Sequence, residues 1–125
     1  MGAIKILIVE DNPQNMRLME MTLRGKGYTL VEATNGEEAL DKATKEKPDL
    51  IIMDMQLPTM SGIEVTKRLR QMPEFRCAPI VAVTAYAMKG DKEKFLEAGC
   101  DAYLSKPINT RELPGFIEKM LKQRK

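Results

Sequence analysis

The sequence predicts an α/β fold: a doubly wound, five-stranded parallel sheet with helices on both faces. Five short apolar runs alternate with five helix-compatible stretches, and the two-residue hairpin turns that would join antiparallel neighbours are missing where they would be needed. The first, third and fourth runs are apolar at successive positions, as strands covered on both faces should be, so they belong in the middle of the sheet.

The elements follow in order. Lys5-Ile6-Leu7-Ile8-Val9 is the first strand, Glu10-Asp11-Asn12-Pro13 a loop, and residues 14–24 a helix. Gly27 closes that unit. Residues 29–33 give the second strand, and Asn35-Gly36 turns into a polar helix running to about residue 46. Pro48 stops it, Leu50-Ile51-Ile52-Met53 is the third strand, 58–62 a loop and 63–70 a helix. Pro73 and Pro79 bound the next connection, which leads into the fourth strand, Ile80-Val81-Ala82-Val83. A helix over 90–98 ends at Gly99, residues 102–105 form the fifth strand, and a last helix follows Pro107. Pro114-Gly115 is out of place inside that helix, because a proline past the first turn removes a backbone bond and clashes with the preceding turn. The helix is expected to begin late or bend, which weighs against pairing of copies through this face.

At 125 residues the chain is expected to be one domain, 1–125, large enough for a single core. Its 43% apolar and 30% charged residues are those of a globular protein, and no apolar run approaches the roughly 18 residues of a membrane span. No secretory leader is recognisable, so the expected compartment is the cytosol. Cys77 and Cys100 lack C-x-x-C spacing; burial as reduced filler is the reading favoured over thiol chemistry. The net charge of +2 is small and the basic residues are interspersed with acids, which argues against direct nucleic-acid binding. The absence of histidine removes Ser-His-Asp triads, histidine-ligated metals and histidine acid-base chemistry.

Five residues then stand out by position. Glu10 and Asp11 follow the first strand, Asp54 the third, Thr84 the fourth and Lys106 the fifth, all at carboxyl ends, where open parallel sheets bind ligands. With strands one, three and four adjacent, three carboxylates would converge. Two unit charges 4 Å apart repel by about 4 kcal/mol at an effective dielectric near 20, so such a trio needs a cation or must partly protonate. Mg²⁺, which takes hard oxygen ligands and keeps several waters, suits it. In the functional reading Asp54 attacks a phosphoryl donor, Lys106 binds one phosphoryl oxygen, and the Thr84 hydroxyl and Ala85 amide offer further donors. The plainer alternative has Glu10 and Asp11 capping the first helix and Asp54 in a static pair with Lys106. It leaves the second acid and Thr84 unused.

The segments Ile8-Val9-Glu10-Asp11-Asn12, Met53-Asp54-Met55-Gln56-Leu57-Pro58, Ser61-Gly62, Val83-Thr84-Ala85 and Ser105-Lys106-Pro107 occur in this order and together resemble a response-regulator receiver domain of two-component systems, similar to the chemotaxis and cell-cycle regulators. The likeness covers essentially the whole chain. It implies the flavodoxin-like strand order 2-1-3-4-5. It implies a Mg²⁺ site of Glu10 (through metal-bound water), Asp11, Asp54 and the Gln56 carbonyl, with Asp54 the phosphoacceptor. It implies a cis bond before Pro107 that aims Lys106. Thr84 and Tyr103 are implied as a switch pair that reshapes the surface of the fourth helix, fifth strand and fifth helix. The alternative for Tyr103 is an ordinary half-buried strand tyrosine. Gln56 and Tyr86 are implied to tune hydrolysis of the aspartyl phosphate.

The implied partners are a sensor histidine kinase or histidine phosphotransfer protein, which must supply the phosphohistidine, and a downstream protein target. The chain is expected to be a monomer when unphosphorylated, either a stand-alone regulator or a piece of a longer protein. It is not expected to be an enzyme beyond its own phosphorylation and slow autodephosphorylation. The competing reading is a Mg²⁺-dependent phosphohydrolase of the haloacid-dehalogenase type, which needs a second aspartate where Gln56 stands. A flavin or nucleotide binder is disfavoured by the lack of a G-x-G-x-x-G or P-loop motif. In the first helix, Met16, Leu18, Met19, Met21 and Leu23 spread over more than one stripe. Met16 or its neighbours are expected to contact the phosphodonor's helix, with filler at the core's rim as the alternative.

Overall fold

A computed structural model describes residues 3–85 and 90–123. The chain runs β1 (Lys5–Val9), α1 (Pro13–Arg24), β2 (Thr29–Ala33), α2 (Gly36–Glu46), β3 (Leu50–Asp54), α3 (Gly62–Arg70), a 3₁₀ turn (Pro73–Phe75), β4 (Ile80–Thr84), α4 (Asp91–Ala98), β5 (Ala102–Ser105) and α5 (Leu113–Gln123). All four strand pairings are parallel and the order is β2-β1-β3-β4-β5, as expected.

Alternation within the apolar strands builds two cores. Leu7, Val9, Ile51, Met53, Ile80 and Ala82 face α2, α3 and α4, where Ala39, Ala43, Val65, Leu69 and Phe95 cover them. Ile6, Ile8, Leu50, Ile52, Val81 and Val83 face α1 and α5, against Met19, Leu23, Leu113 and Ile117. β3 and β4 are buried at every position and β1 from Ile6 onward, whereas the edge strands β2 and β5 are only partly covered. None of the described helices is long and apolar enough to cross a membrane.

Helix starts follow local chemistry. Asn12 caps α1, its side chain accepting from the Asn15 amide at 3.0 Å, with Pro13 in the first turn where a missing N–H costs nothing. The cap is therefore Asn12, not Glu10 or Asp11. Asn35 and Ser61 cap α2 and α3 in the same way. α5 begins late, at Leu113, so Pro114 falls in the first turn and no kink is required. The preceding turn is held by Asn109, whose side chain accepts from the amides of Arg111 (2.9 Å) and Glu112 (3.2 Å).

Two expectations are corrected. Met16 is 5% exposed and packs with Met19 and Leu23 in the α1–α5 core. Spacings of three and four residues put these three on one stripe, leaving Leu18 (38%) and Met21 (66%) as the apolar side chains that face solvent. Met16 is not available to a partner's helix. Cys77 is also exposed, because it lies in the loop after the 3₁₀ turn and not in an element; Cys100 is buried as expected.

Candidate metal and phosphoryl site

The carboxyl ends of the strands are tied together past the last strand residues. The Glu10 amide donates to the Ala33 carbonyl (3.0 Å), Met55 to Val83 (2.9 Å) and Lys106 to Thr84 (2.8 Å), so each site loop continues the ladder before it turns away. At the start of α3, Gly62 lies directly against the end of β3. A Cβ there would stand 2.3 Å from the Asp54 carbonyl oxygen and 2.8 Å from the Met55 Cα, so only glycine allows this approach. The Lys106–Pro107 bond is cis, as the resemblance implied.

These constraints bring the predicted residues together. Glu10, Asp54 and Thr84 are buried, at 0%, 1% and 0% exposure, while Asp11, Gln56 and Ala85 sit at the rim. Carboxylate oxygens of Glu10, Asp11 and Asp54 lie within 4.8 Å of one another; it is the only such grouping of acidic or thiol ligands among the described residues. The Lys106 ammonium stands 3.0 Å from Glu10 Oε1 and 3.2 Å from Asp54 Oδ2. Lys106 thus touches Glu10 as well as Asp54, a pairing that strand ends alone did not suggest.

One ammonium does not balance three acids, and the strain falls on Glu10. Burial pushes its carboxyl up to about 7; Lys106 and the Asn12 amide pull it down, while neighbouring Asp54 pushes it further up. Burial lowers the Lys106 ammonium, but the two carboxylates outweigh that and its pKa is raised. Glu10 Oε2 accepts from the Asn12 amide at 3.1 Å. Oε1 is buried and accepts no aligned hydrogen bond, despite its nearness to the ammonium. A buried oxygen that accepts no aligned hydrogen bond, beside two further carboxylates, is a hard-ligand set suited to Mg²⁺, so the residues present fit that ion.

The other predicted residues fall around this centre. The Gln56 amide donates to Asp54 Oδ1 (2.9 Å), orienting the carboxylate. The Gln56 side chain crosses to β4, its Nε2 donating to Thr84 Oγ1 (2.9 Å) and its Oε1 accepting from the Ala85 amide (3.2 Å). Nothing in the sequence signalled this bridge, which depends on the distance between the ends of β3 and β4. Tyr103 is half-buried against the α2–α4 core, and the Lys92 ammonium lies 5.7 Å from its ring centroid. Register pairs Ala82 with Tyr103, so Thr84, two residues further along β4, shares a sheet face with Tyr103. Tyr86 lies outside the described residues.

Residues 6–118 match the family model of the response regulator receiver domain. The chain is 51% identical over 113 residues to the polar-differentiation response regulator DivK of Brucella anthropi, covering 90% of this chain and 89% of that protein. Among solved structures, the receiver domain of a sensor histidine kinase from Pseudomonas aeruginosa superposes with a TM-score of 0.89 at 36% identity, covering 98% of this chain and all of that one; it has a magnesium ion coordinated in its active-site cleft. Chemotaxis protein CheY4 of Vibrio cholerae gives a TM-score of 0.90 at 30% identity, covering 95% of this chain and 99% of that one. With this fold, this acidic centre and these relatives, the chain belongs to the response regulator receiver domain family.

Proposed function

We propose that this receiver accepts a phosphoryl group on Asp54 from the phosphohistidine of a sensor histidine kinase or histidine phosphotransfer protein, and passes the signal to a downstream protein through the surface of α4, β5 and α5. The reading takes residues 1–125 as one receiver unit. The observation that carries it is the single Lys106 ammonium bridging two buried carboxylates, Glu10 and Asp54, with Asp11 adjoining. Such a set carries more negative than positive charge and holds one carboxylate close to a fixed positive charge.

In the proposed step an Asp54 carboxylate oxygen forms a bond to phosphorus as the phosphorus–nitrogen bond of the donor breaks, and the departing imidazole keeps the electron pair and takes up a proton. Lys106, the Ala85 amide and the Thr84 hydroxyl supply donors for the phosphoryl oxygens. Mg²⁺, when bound, neutralises charge on the transferring group; Glu10, Asp11, Asp54 and the Gln56 carbonyl would hold it. Movement of Thr84 toward the phosphoryl group frees space for Tyr103 on the same face. Gln56 and Tyr86 are proposed to set the rate at which water removes the phosphoryl group. The chain turns over no free substrate in this scheme. A hydrolase of the haloacid-dehalogenase type gains no support, because Gln56 carries a carboxamide, which is neither acid nor base, and that group is engaged by Thr84 and Ala85.

Incubation with acetyl phosphate and Mg²⁺ followed by intact-mass measurement tests the reading. One phosphoryl mass is expected on the wild type and none on Asp54→Asn or in chelator. An equal gain on Asp54→Asn would refute it.

A further inference from the structure

The Gln56 carboxamide occupies the Ala85 amide, a donor that the proposed phosphoryl group needs, and donates to the Thr84 hydroxyl oxygen. Gln56 sits two residues beyond Asp54 in an exposed loop, and its backbone amide is anchored on Asp54 Oδ1 at 2.9 Å. From there the side chain reaches the end of β4 and meets two groups at once. The Ala85 amide can only donate, so the atom 3.2 Å from it is the carboxamide oxygen; this fixes the nitrogen 2.9 Å from Thr84 Oγ1. A backbone amide has one proton, which cannot be given fully to Gln56 Oε1 and to a phosphoryl oxygen on Asp54. The carboxamide oxygen therefore sits where such an acceptor is required.

We propose that the Gln56 side chain is a built-in placeholder: in the unphosphorylated protein its oxygen fills the phosphoryl-binding donor of Ala85 while its nitrogen donates to Thr84 Oγ1, so that it holds the end of β4 against the β3 loop and must swing out before Asp54 can carry its phosphoryl group. This rests on Asp54 being the phosphoacceptor. Both hydrogen bonds are neutral, and Gln56 and Ala85 are exposed, so release needs rotation of one side chain and no unfolding. Gln56 is a positioning residue: it acts through Thr84 and Ala85 and sets how readily the site accepts a tetrahedral oxyanion. Its removal should favour occupancy.

The test uses trifluoroberyllate, a tetrahedral phosphoryl mimic, at saturating Mg²⁺, with the wild type, Gln56→Met (similar length, no amide) and Gln56→Ala. Loss of the neutral Ala85–Gln56 hydrogen bond that competes with the mimic should tighten its binding by about three- to tenfold in both variants. In the metal-free protein the Ala85 amide resonance should move and its hydrogen exchange quicken in both variants, a local signature that a general loss of stability would not produce alone. Binding no tighter than wild type in both variants, or an unchanged Ala85 amide, overturns the placeholder and leaves Asp54 untouched. Failure of the wild type to bind the mimic removes the phosphoacceptor reading and the placeholder together.

Discussion

At the amino ends of β4 and β5 one guanidinium, Arg70, reaches four acceptors, whereas at the carboxyl ends of the same sheet one ammonium, Lys106, faces three carboxylates. Arg70 donates to the carbonyls of Gly99 (2.9 Å), Ala78 (2.8 Å) and Phe75, and pairs with Asp101 at 2.8 Å. Asp101 in turn accepts from the Ile80 amide at 2.9 Å, and nearby Asp49 accepts from the Lys5 amide at 2.8 Å. Here acids end on backbone amides and a cation, so the edge is closed. At the other edge Glu10 Oε1 lies buried without an aligned donor, and its carboxyl is pushed up to about 7. The difference separates charge that is balanced within the fold from charge that is not, and each kind should respond to mutation in its own way.

The largest expected effect is at the closed edge. Arg70→Ala leaves three carbonyls without this donor and Asp101 with the Ile80 amide but no cation, and should destabilise the protein by about 2–4 kcal/mol, read as a lower urea midpoint. A change under about 0.5 kcal/mol would break the contrast.

At the open edge the sign reverses. An acid whose pKa is raised from 4.5 unfolded to about 7 folded binds more protons in the folded state between those values, so metal-free stability falls as pH rises from 4.5 through 7 and levels off above. Glu10→Gln removes that titration. The variant should gain on the wild type progressively from pH 4.5 to 7 and hold an advantage of about 2 kcal/mol at pH 8. A difference that does not vary with pH would contradict the charge deficit.

The smallest effect sharpens the closed edge with the protein's own thiols. Burial pushes the Cys100 thiol up to about 11, against a weaker downward pull from Thr66, and thiolate is the reactive form. Exposed Cys77 should take up one equivalent of a thiol reagent at pH 8, and Cys100 should react slowly. Because Arg70 also holds the Gly99 carbonyl beside Cys100, Arg70→Ala should speed the second labelling severalfold. Equal rates in the two proteins would detach Arg70 from that edge.

How much could be read beforehand follows from the range over which each interaction is set. The strand order was implied by the family resemblance, and the two-sided burial of β1, β3 and β4 and the meeting of Glu10, Asp11, Asp54, Thr84 and Lys106 were legible, because apolar runs mark covered strands and strand ends in a parallel sheet fix where a residue emerges. The burial of Met16 was also readable, because Met16, Met19 and Leu23 share helical spacing and so one stripe. Cys77 could have been placed by its loop between Pro73 and Pro79. The Arg70 hub and the Gln56 bridge were not legible. Both depend on side chains crossing between elements about thirty residues apart in sequence, and no period or motif records that distance.

Calorimetric titration with Mg²⁺ measures the charge deficit most directly, on the wild type, Asp11→Asn at the open edge and Asp101→Asn at the closed one. The wild type and Asp101→Asn should each bind one ion per chain with similar affinity, and Asp11→Asn should bind at least about tenfold more weakly. Absence of binding to the wild type, or binding indifferent to Asp11, would contradict the assignment of the acidic trio as a metal site.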